Sequence, residues 1–271
     1  MLDADVELVP IRTSGDGGVA GGDKSRFVKE IEEALLRGDV DLAVHSAKDV
    51  PGELPDGLSI VGVPGRADAR DSLCGAASLD ELAAGASVGT SSLRRRAQLL
   101  AARPDLNVAG LRGNVDTRLG RLAEGAYDAV VLAAAGLERL GRDEGSPLEV
   151  DLMTPAPGQG CLALEAITGN EGMASLAAAV TDGAALTALT AERAVVAPLE
   201  ASCNTPLGAH AVQDGSRLEL SVFVGLPDGS EWIRDRVTGD AADPASLGRA
   251  AAERLLAAGA ADLLERAEAP A

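Results

Sequence analysis

A strand-like run near residue 45 ends in side chains that could do chemistry. The stretch VHSAKDVP places Ser46, Lys48 and Asp49 directly after buried-type residues. Ligands of open α/β sheets bind at the carboxyl ends of strands. Lys48 is notable because lysine occurs at only three positions, against 24 basic residues in all. The pattern predicts a ligand-binding strand end, and an ordinary Lys–Asp surface pair in a turn is the alternative.

Two further stretches, GTSSLRRR and LRGNVDTRLGR, join strand ends to arginine-rich helix starts. Free backbone N–H groups and hydroxyls at such a turn favour an anion. Arginines there oppose the helix dipole unless an anionic ligand is present, and their planar fork suits carboxylates. A carboxylate or phosphate site is therefore favoured over a solvated basic face or simple helix caps. The residues concerned are Thr90, Ser91, Ser92, Arg94, Arg95, Arg96, Arg112, Gly113, Asn114, Arg118 and Arg121.

An amide and a thiol stand in two other loops. In TPAPGQGCLALE, Gln159 lies between two glycines, which indicates a tight turn with an amide at a cleft, or else a plain crossover between domains. Cys161 begins an apolar run and is predicted to be a core thiol. In LEASCNTPLG, Cys203 lies in a polar loop. Such a thiol is either incidental or reactive, and a reactive one needs exposure and cationic neighbours.

Alternating strands and helices must position these groups. The N-terminal two thirds predict parallel α/β layers, with Gly38 ending a helix and a Ser78/Glu81 capping box starting a short one. The last third predicts antiparallel strands and a helix begun by Asp243 and Pro244. Predicted strands are 6–11, 40–46, 58–65, 86–90, 107–113 and the 209–238 set, and 127–137 is predicted to be a strand plus a turn. Predicted helices include 26–38, 91–104, 114–125 and 187–200.

Composition excludes several classes of protein. A net charge of −18 over 271 residues argues against a general nucleic-acid or anionic-membrane binder, and favours a surface adapted to high salt. No apolar run is long enough for a membrane span, and no secretory signal is expected. Three scattered cysteines and two histidines fit no metal site or disulfide framework. A reducing, cytoplasmic location is expected.

In order and spacing, the motifs of this chain resemble the porphobilinogen deaminase (hydroxymethylbilane synthase) family. The resemblance covers the chain from Val6 onward through VELVPIRTSGD, VDLAVHSAKDVP, GTSSLRRRAQL, LRGNVDTRL, YDAVVLAAAGLERLG, PAPGQG, TAERA and LEASCNTPLG. It implies a transferase that adds four porphobilinogen units in turn to a covalent dipyrromethane cofactor, then releases the linear tetrapyrrole with water. The implied partners are porphobilinogen and the growing oligopyrrole chain, and a monomer is expected.

The same resemblance implies a role for each site residue. Cys203 would carry the dipyrromethane through a thioether, and the Asp49 carboxylate would stabilise cationic pyrrole, hold pyrrole N–H groups and move protons. Each unit brings two carboxylates, which need partners when buried. Cofactor binding is implied for Lys48, Asp49, Ser92, Arg94 and Arg95. Substrate binding is implied for Ser46, Thr90, Ser91, Arg112, Gly113, Asn114, Arg118, Arg139 and Gln159.

The implied fold has two periplasmic-binding-protein-like α/β domains and a small C-terminal α+β domain. Domain 1 would be discontinuous, with residues 1–62 and 161–178. Domain 2 would span 66–155 and hold the Arg-rich anion site, and domain 3 would span 183–271 and carry the cofactor cysteine.

The family usually begins with a strand and helix bearing a G-T-R-x-S-x-L-A type motif, and this sequence begins after it. We therefore expect the chain as written to be destabilised and poorly active. An inactive truncated form and an anion-binding, two-lobed solute-binding module are the alternatives to the enzyme.

Overall fold

The computed structural model describes residues 5–11, 28–201 and 205–268, which form three sheets surrounded by helices. The helices are α1 Lys29–Arg37, α2 Leu93–Ala102, α3 Val115–Ala123, α4 Ala134–Arg139, α5 Glu171–Ala178, α6 Gly183–Val196, α7 Pro244–Ala257 and α8 Ala260–Glu268. The strands are β1 Ala43–Ser46, β2 Leu58–Gly62, β3 Asp71–Cys74, β4 Ser87–Gly89, β5 Asn107–Ala109, β6 Ala129–Ala133, β7 Ser146–Pro147, β8 Leu162–Ile167, β9 Leu207–Asp214, β10 Arg217–Gly225 and β11 Trp232–Asp240.

The first sheet has the order β1-β8-β2, and both pairs are antiparallel. Leu35 of α1 packs with Ala43 and Leu58 to form a small core on this sheet. The chain leaves the first sheet after β2 and returns to it at β8, after the edge strand β7 of the second sheet. Two segments therefore connect the two sheets. We call residues 63–70 and 148–161 the crossover segments. Their backbones touch where Ala67 N donates to Gly160 O at 3.2 Å.

The second sheet has the order β5-β4-β6-β3-β7, in which β4 lies parallel to β5 and β6. Its core contains Leu73, Val88, Leu99 and Val131. Strand β4 leads into α2 and β5 leads towards α3. Since parallel neighbours end at the same edge of a sheet, the two helix starts lie side by side.

The third sheet is the antiparallel meander β9-β10-β11, packed on α6, α7 and α8. Alternate apolar residues of β10, such as Leu218 and Leu220, are fully buried against Ala251 and Leu255 of α7. Helix α7 begins as predicted, because Asp243 accepts a hydrogen bond from Ser246 N at 3.2 Å and Pro244 follows.

Helix α6 leads to the loop of Cys203. It is capped by Asp182, which accepts from Ala185 N at 2.8 Å, and it continues into a 3₁₀ turn at Ala197–Leu199. Residues 202–204, including Cys203, lie outside the described residues. No described helix is by itself long and apolar enough to cross a membrane. The pair formed by α5 and the helical segment Gly183–Leu199 has the length and composition of a span, but the pair is bent by 115°.

The α/β class with a small C-terminal α+β unit is confirmed, whereas the domain boundaries stay predictions. Three local predictions are wrong. Residues 6–11 form no strand, since alternation alone supplies no pairing partner. The predicted parallel layers are wrong for the first sheet, because β8 runs against both neighbours, and for part of the second, because β3 is antiparallel to β6 and β7. Ser78 makes no cap; Glu81 instead accepts from Ala77 N, on a single 3₁₀ turn too short for a capping box. The predicted loop 12–25 lies outside the described residues.

Candidate active site

The carboxyl end of β1 presents the first group of predicted residues. After the exposed Ser46, a 3₁₀ turn at Ala47–Asp49 brings Lys48 and Asp49 to a half-buried position. Ala47 N donates to Cys161 O at 3.0 Å, which fixes this turn against the second crossover segment. The neighbouring His45 faces inward instead, where its Nε2 lies 2.8 Å from Glu165 Oε2 in the first sheet.

Asp71, at the first position of β3, is the centre of a buried charge cluster. Arg94 donates from Nη1 to Asp71 Oδ2 at 2.7 Å and from Nη2 to Oδ1 at 3.3 Å. Arg95 donates from Nε to Asp71 Oδ1 at 2.8 Å, and its Nη2 lies 2.7 Å from the same oxygen. Asp71 is fully buried, and Arg94 and Arg95 are only 4% and 5% exposed. The predicted arginine pair therefore shares one carboxylate.

The pKa values in this cluster follow from burial and pairing. Burial alone would raise the pKa of Asp71, but the charges of Arg94 and Arg95 and the hydrogen bonds from Arg94 and Gln159 hold it well below its usual range. Burial lowers the pKa of Arg94, which Asp71 opposes. The group acts as two guanidinium cations around one carboxylate anion.

Gln159 connects this cluster to the β1 turn. Its Nε2 donates to Ala69 O at 2.7 Å and to Asp71 Oδ1 at 3.0 Å, while its Oε1 accepts from Lys48 Nζ at 3.5 Å. Gln159 is 1% exposed, so its amide lies behind the surface. A continuous hydrogen-bonded array thus runs from Lys48 to the arginine pair, through residues far apart in the sequence.

The hydroxyl and amide groups at the two helix starts make local contacts. Ser92 Oγ accepts from Arg95 N at 3.4 Å, and Ser92 N donates to the buried Thr90 Oγ1 at 3.2 Å. Ser91 Oγ donates to Leu111 O at 2.9 Å. Asn114 caps α3 by accepting from Thr117 N at 2.8 Å. These side chains hold the helix N-termini, whose backbone N–H groups attract anions.

The remaining arginines lie around the cluster at different depths. Arg118 Nε donates to Gly113 O at 2.8 Å, and the pKa of Arg118 is lowered by burial and by the positive charge of Arg95. Gly113 has φ +112°, so its left-handed backbone favours glycine. Arg139 Nη2 donates to Gly160 O at 2.8 Å in the second crossover segment. Arg112 is exposed at the strand end.

The structure therefore brings together Lys48, Gln159, Arg94 and Arg95, with Arg118 within electrostatic reach of Arg95. Ser46 and Arg112 lie on the exposed surface of the strand ends. Cys161 is a core thiol as predicted, 1% exposed, and burial raises its pKa to about 11. Cys203, as noted, is outside the described residues, so its distance to the array is undefined.

Two buried carboxylates that pair with arginines escaped prediction. Asp71 and Glu192 are fully buried, and both are bonded to arginines distant in sequence. Glu192 accepts from Arg66 Nη1 at 2.6 Å and from Gly158 N at 2.7 Å. No local signal marks Asp71, which lies among other charged residues in RADARDSLC; for Glu192 the signal was an acidic residue beside the apolar end of AERAVV.

Comparison with known proteins gives consistent matches over most of the chain. A model described as "Porphobilinogen deaminase, dipyromethane cofactor binding domain" matches residues 1–175, and one described as "Porphobilinogen deaminase, C-terminal domain" matches 186–257. Porphobilinogen deaminase of Roseiflexus castenholzii is 51% identical over 247 residues, covering 90% of this chain and 81% of the relative. That of Trichlorobacter lovleyi is 46% identical over 269 residues, covering 96% and 86%.

Solved structures are less similar. A periplasmic substrate-binding protein of an ABC transporter from Coxiella burnetii aligns with a TM-score of 0.37 and 15% identity, over 58% of this chain and 77% of that one. A TM-score this low establishes neither fold nor function.

Proposed function

This chain belongs to the porphobilinogen deaminase family, and from that membership we propose how its own residues carry out the reaction. The protein is a hydroxymethylbilane synthase, a transferase of tetrapyrrole biosynthesis that uses a dipyrromethane cofactor. It joins four porphobilinogen molecules head to tail and releases the linear tetrapyrrole with water.

The donor set fits a dipyrromethane with acetate and propionate arms. Lys48, Arg94 and Arg95 are joined in one array, and two helix N-termini lie beside it. Several carboxylates can bind here only if cations and N–H groups receive them. When bound, the cofactor supplies the pyrrole carbon to which substrate is joined. We propose that Cys203 holds it and that Lys48, Ser92, Arg94 and Arg95 orient its carboxylates.

Asp49 is proposed as the catalytic carboxylate. Loss of ammonia from the incoming porphobilinogen develops positive charge on its pyrrole, and a fixed carboxylate stabilises that charge. The same oxygen atoms can hold pyrrole N–H groups and accept a proton. The fixed position of this turn supports the role. Ala47 N donates to Cys161 O, and the Lys48 side chain donates to the Gln159 side chain.

The incoming substrate is proposed to bind on the outer side of the array. Its carboxylates would meet Arg112, Arg118 and Arg139. The strand ends and helix starts would line the path, with contributions from Ser46, Ser91, Gly113 and Asn114, while the buried Thr90 and Gln159 would support it from behind the surface. Arg118 supports this role, because it is a partly buried cation beside the helix start of Asn114. We further propose a monomeric, cytoplasmic protein.

The observation that carries the proposal is the array from Lys48 through Gln159 and Asp71 to Arg94 and Arg95. It connects the proposed catalytic turn to an arginine pair on a different sheet, in a chain whose net charge is −18. Such a concentration of cations in an acidic protein is explained by an anionic ligand.

Asp49→Asn tests the mechanism, with Asp56→Asn as the control on the exposed loop before β2. We expect Asp49→Asn to keep the dipyrromethane on Cys203 and to form tetrapyrrole about 10²–10⁴ times more slowly, the range for a lost acid–base group. Asp56→Asn should match the unmodified protein. Equal turnover in both variants would remove Asp49 from the mechanism.

A further inference from the structure

We infer that Asp71 is a positioning residue, which aims the arginine pair and, through Gln159, Lys48 at the carboxylates of the cofactor; this rests on the proposed function. The Asp71 carboxylate is fully buried and accepts hydrogen bonds from three side chains. Its oxygens face the protein interior, so it acts through the cations it holds.

Charge is the first argument. Two guanidinium groups and one carboxylate leave a single net positive charge, which still attracts a carboxylate ligand. Burial lowers the pKa of Arg94 and of Arg118, and the positive charge of Arg95 lowers both further, because Arg95 repels each of these cations. Asp71 offsets that repulsion, and so permits several cations to share one ligand-facing edge of the second sheet.

Geometry is the second argument. Arg94 Nη1 donates to Thr154 O as well as to Asp71, both at 2.7 Å. Arg95 donates to Val131 O from Nη1 at 2.9 Å while its Nε faces Asp71. Each guanidinium plane is therefore fixed by two acceptors, of which Asp71 is the shared one. A guanidinium fixed in this way loses little side-chain entropy when one of its remaining N–H groups meets a ligand carboxylate.

Location is the third argument. Asp71 directly follows the first crossover segment, and Gln159 belongs to the second. Gln159 Nε2 bonds both Ala69 O and Asp71 Oδ1, so the array is built across both connections between the two sheets. The array thereby holds Lys48, beside the first sheet, at a fixed distance from Arg94 and Arg95, beside the second sheet. This explains why a buried carboxylate stands at the first residue of β3.

The test compares Asp71→Asn, Asp71→Glu and Gln159→Met with the control Asp68→Asn. Asp71→Asn removes the charge, Asp71→Glu keeps it but moves it by one methylene, and Gln159→Met removes only the neutral link. Asp68 pairs with the partly exposed Arg70 at 2.7 Å and is outside the array. Apo-protein is incubated with porphobilinogen, and attachment to Cys203 is followed by intact mass per folded molecule, well below each melting temperature.

A positioning role predicts that Asp71→Glu and Gln159→Met load the cofactor at least about tenfold more slowly, the cost of one misaligned charge-assisted contact. In both variants the porphobilinogen concentration that gives half-maximal loading should also rise. Asp68→Asn should load within about twofold of the unmodified protein, the scatter of surface substitutions. Asp71→Asn should load the cofactor as slowly as Asp71→Glu, unless it fails to fold. If it fails to fold, the loading rates of Asp71→Glu and Gln159→Met decide whether Asp71 has a positioning role.

A purely structural role would lower the melting temperature and leave loading of the folded protein unchanged. That result in Asp71→Glu or Gln159→Met would overturn the inference. Failure of the unmodified protein to acquire the dipyrromethane would instead contradict the proposed function, so the two failures are distinguishable.

Discussion

Arg66 and Glu192 are 126 positions apart, yet Arg66 Nη1 donates to Glu192 Oε1 at 2.6 Å. Arg66 belongs to the first crossover segment and also donates to Gln159 O in the second, at 2.8 Å from Nη2. Glu192 lies on α6 and accepts from Ala211 N of β9 at 2.7 Å. A single buried ion pair therefore ties the third sheet and its helix to both connections between the first two sheets.

Loss of this ion pair should destabilise the fold. Glu192→Gln leaves the mostly buried Arg66 cation without its anion, and we expect the free energy of unfolding to fall by about 3 kcal/mol or more. Urea unfolding at pH 7 measures it. Glu231→Gln is the matched control, since it breaks the exposed ion pair with Arg266 and should leave stability unchanged. Equal losses in the two variants would refute the assignment.

The stability that Glu192 contributes should depend on pH. Burial alone would raise the pKa of Glu192, but the charge of Arg66 and the nearby His210 lower it. A carboxyl whose pKa is lowered by folding contributes its full stability above the unfolded value of about 4.3, and loses it as pH falls through the folded value. The gap in unfolding free energy between the unmodified protein and Glu192→Gln should narrow from pH 7 towards pH 3. A constant gap would contradict this linkage.

The close approach of the crossover segments should make Gly160 sensitive to substitution. Gly160 has φ +88°, and a Cβ placed there would lie 2.5 Å from Ala67 O. Gly141 has φ +63° with nothing within 4 Å of the same position, so Gly141→Ala isolates the backbone cost. We expect Gly160→Ala to lower the unfolding free energy by about 1–3 kcal/mol more than Gly141→Ala, the usual cost of overpacking. Thermal unfolding of both variants side by side checks this, and matching losses would show that the segments can separate freely.

The two described thiols should resist alkylation in the native state. Cys74 and Cys161 are each 1% exposed, and burial raises both pKa values to about 11. At pH 8 the reactive thiolate is therefore scarce and shielded. Iodoacetamide followed by mass spectrometry should find both thiols unlabelled in folded protein and labelled after denaturation. Rapid labelling of either one in the native state would show that its core opens.

Local chemistry made part of the structure predictable. The Asp243 cap with Pro244 next to it specifies a helix start through contacts within one turn. Gly38 likewise ends α1 in the left-handed region, with φ +74°. The strand-end arginines were also recognisable, because their side chains stand where α/β sheets bind anions. The pattern at 6–11 failed, since a strand requires a partner that local alternation does not supply.

The inner layer of the site was not predictable from local pattern. Asp71 meets Arg94 only because the register of β3, β6 and β4 brings positions 71 and 94 together. Gln159 joins them because the second crossover segment returns along the first. Such pairings are set by tertiary packing, and no local signal marks Asp71 in the charged stretch RADARDSLC. Asn114 shows the converse, because it forms the helix cap that its position allowed.

The thioether between Cys203 and the dipyrromethane is central to the proposed function. The direct measurement is the mass of the proteolytic peptide that contains Cys203, taken from protein shown to form tetrapyrrole. We predict that this peptide carries a dipyrromethane, and that Cys203→Ser loses both the added mass and the activity. An active protein whose Cys203 peptide has the mass of a free thiol would contradict the account.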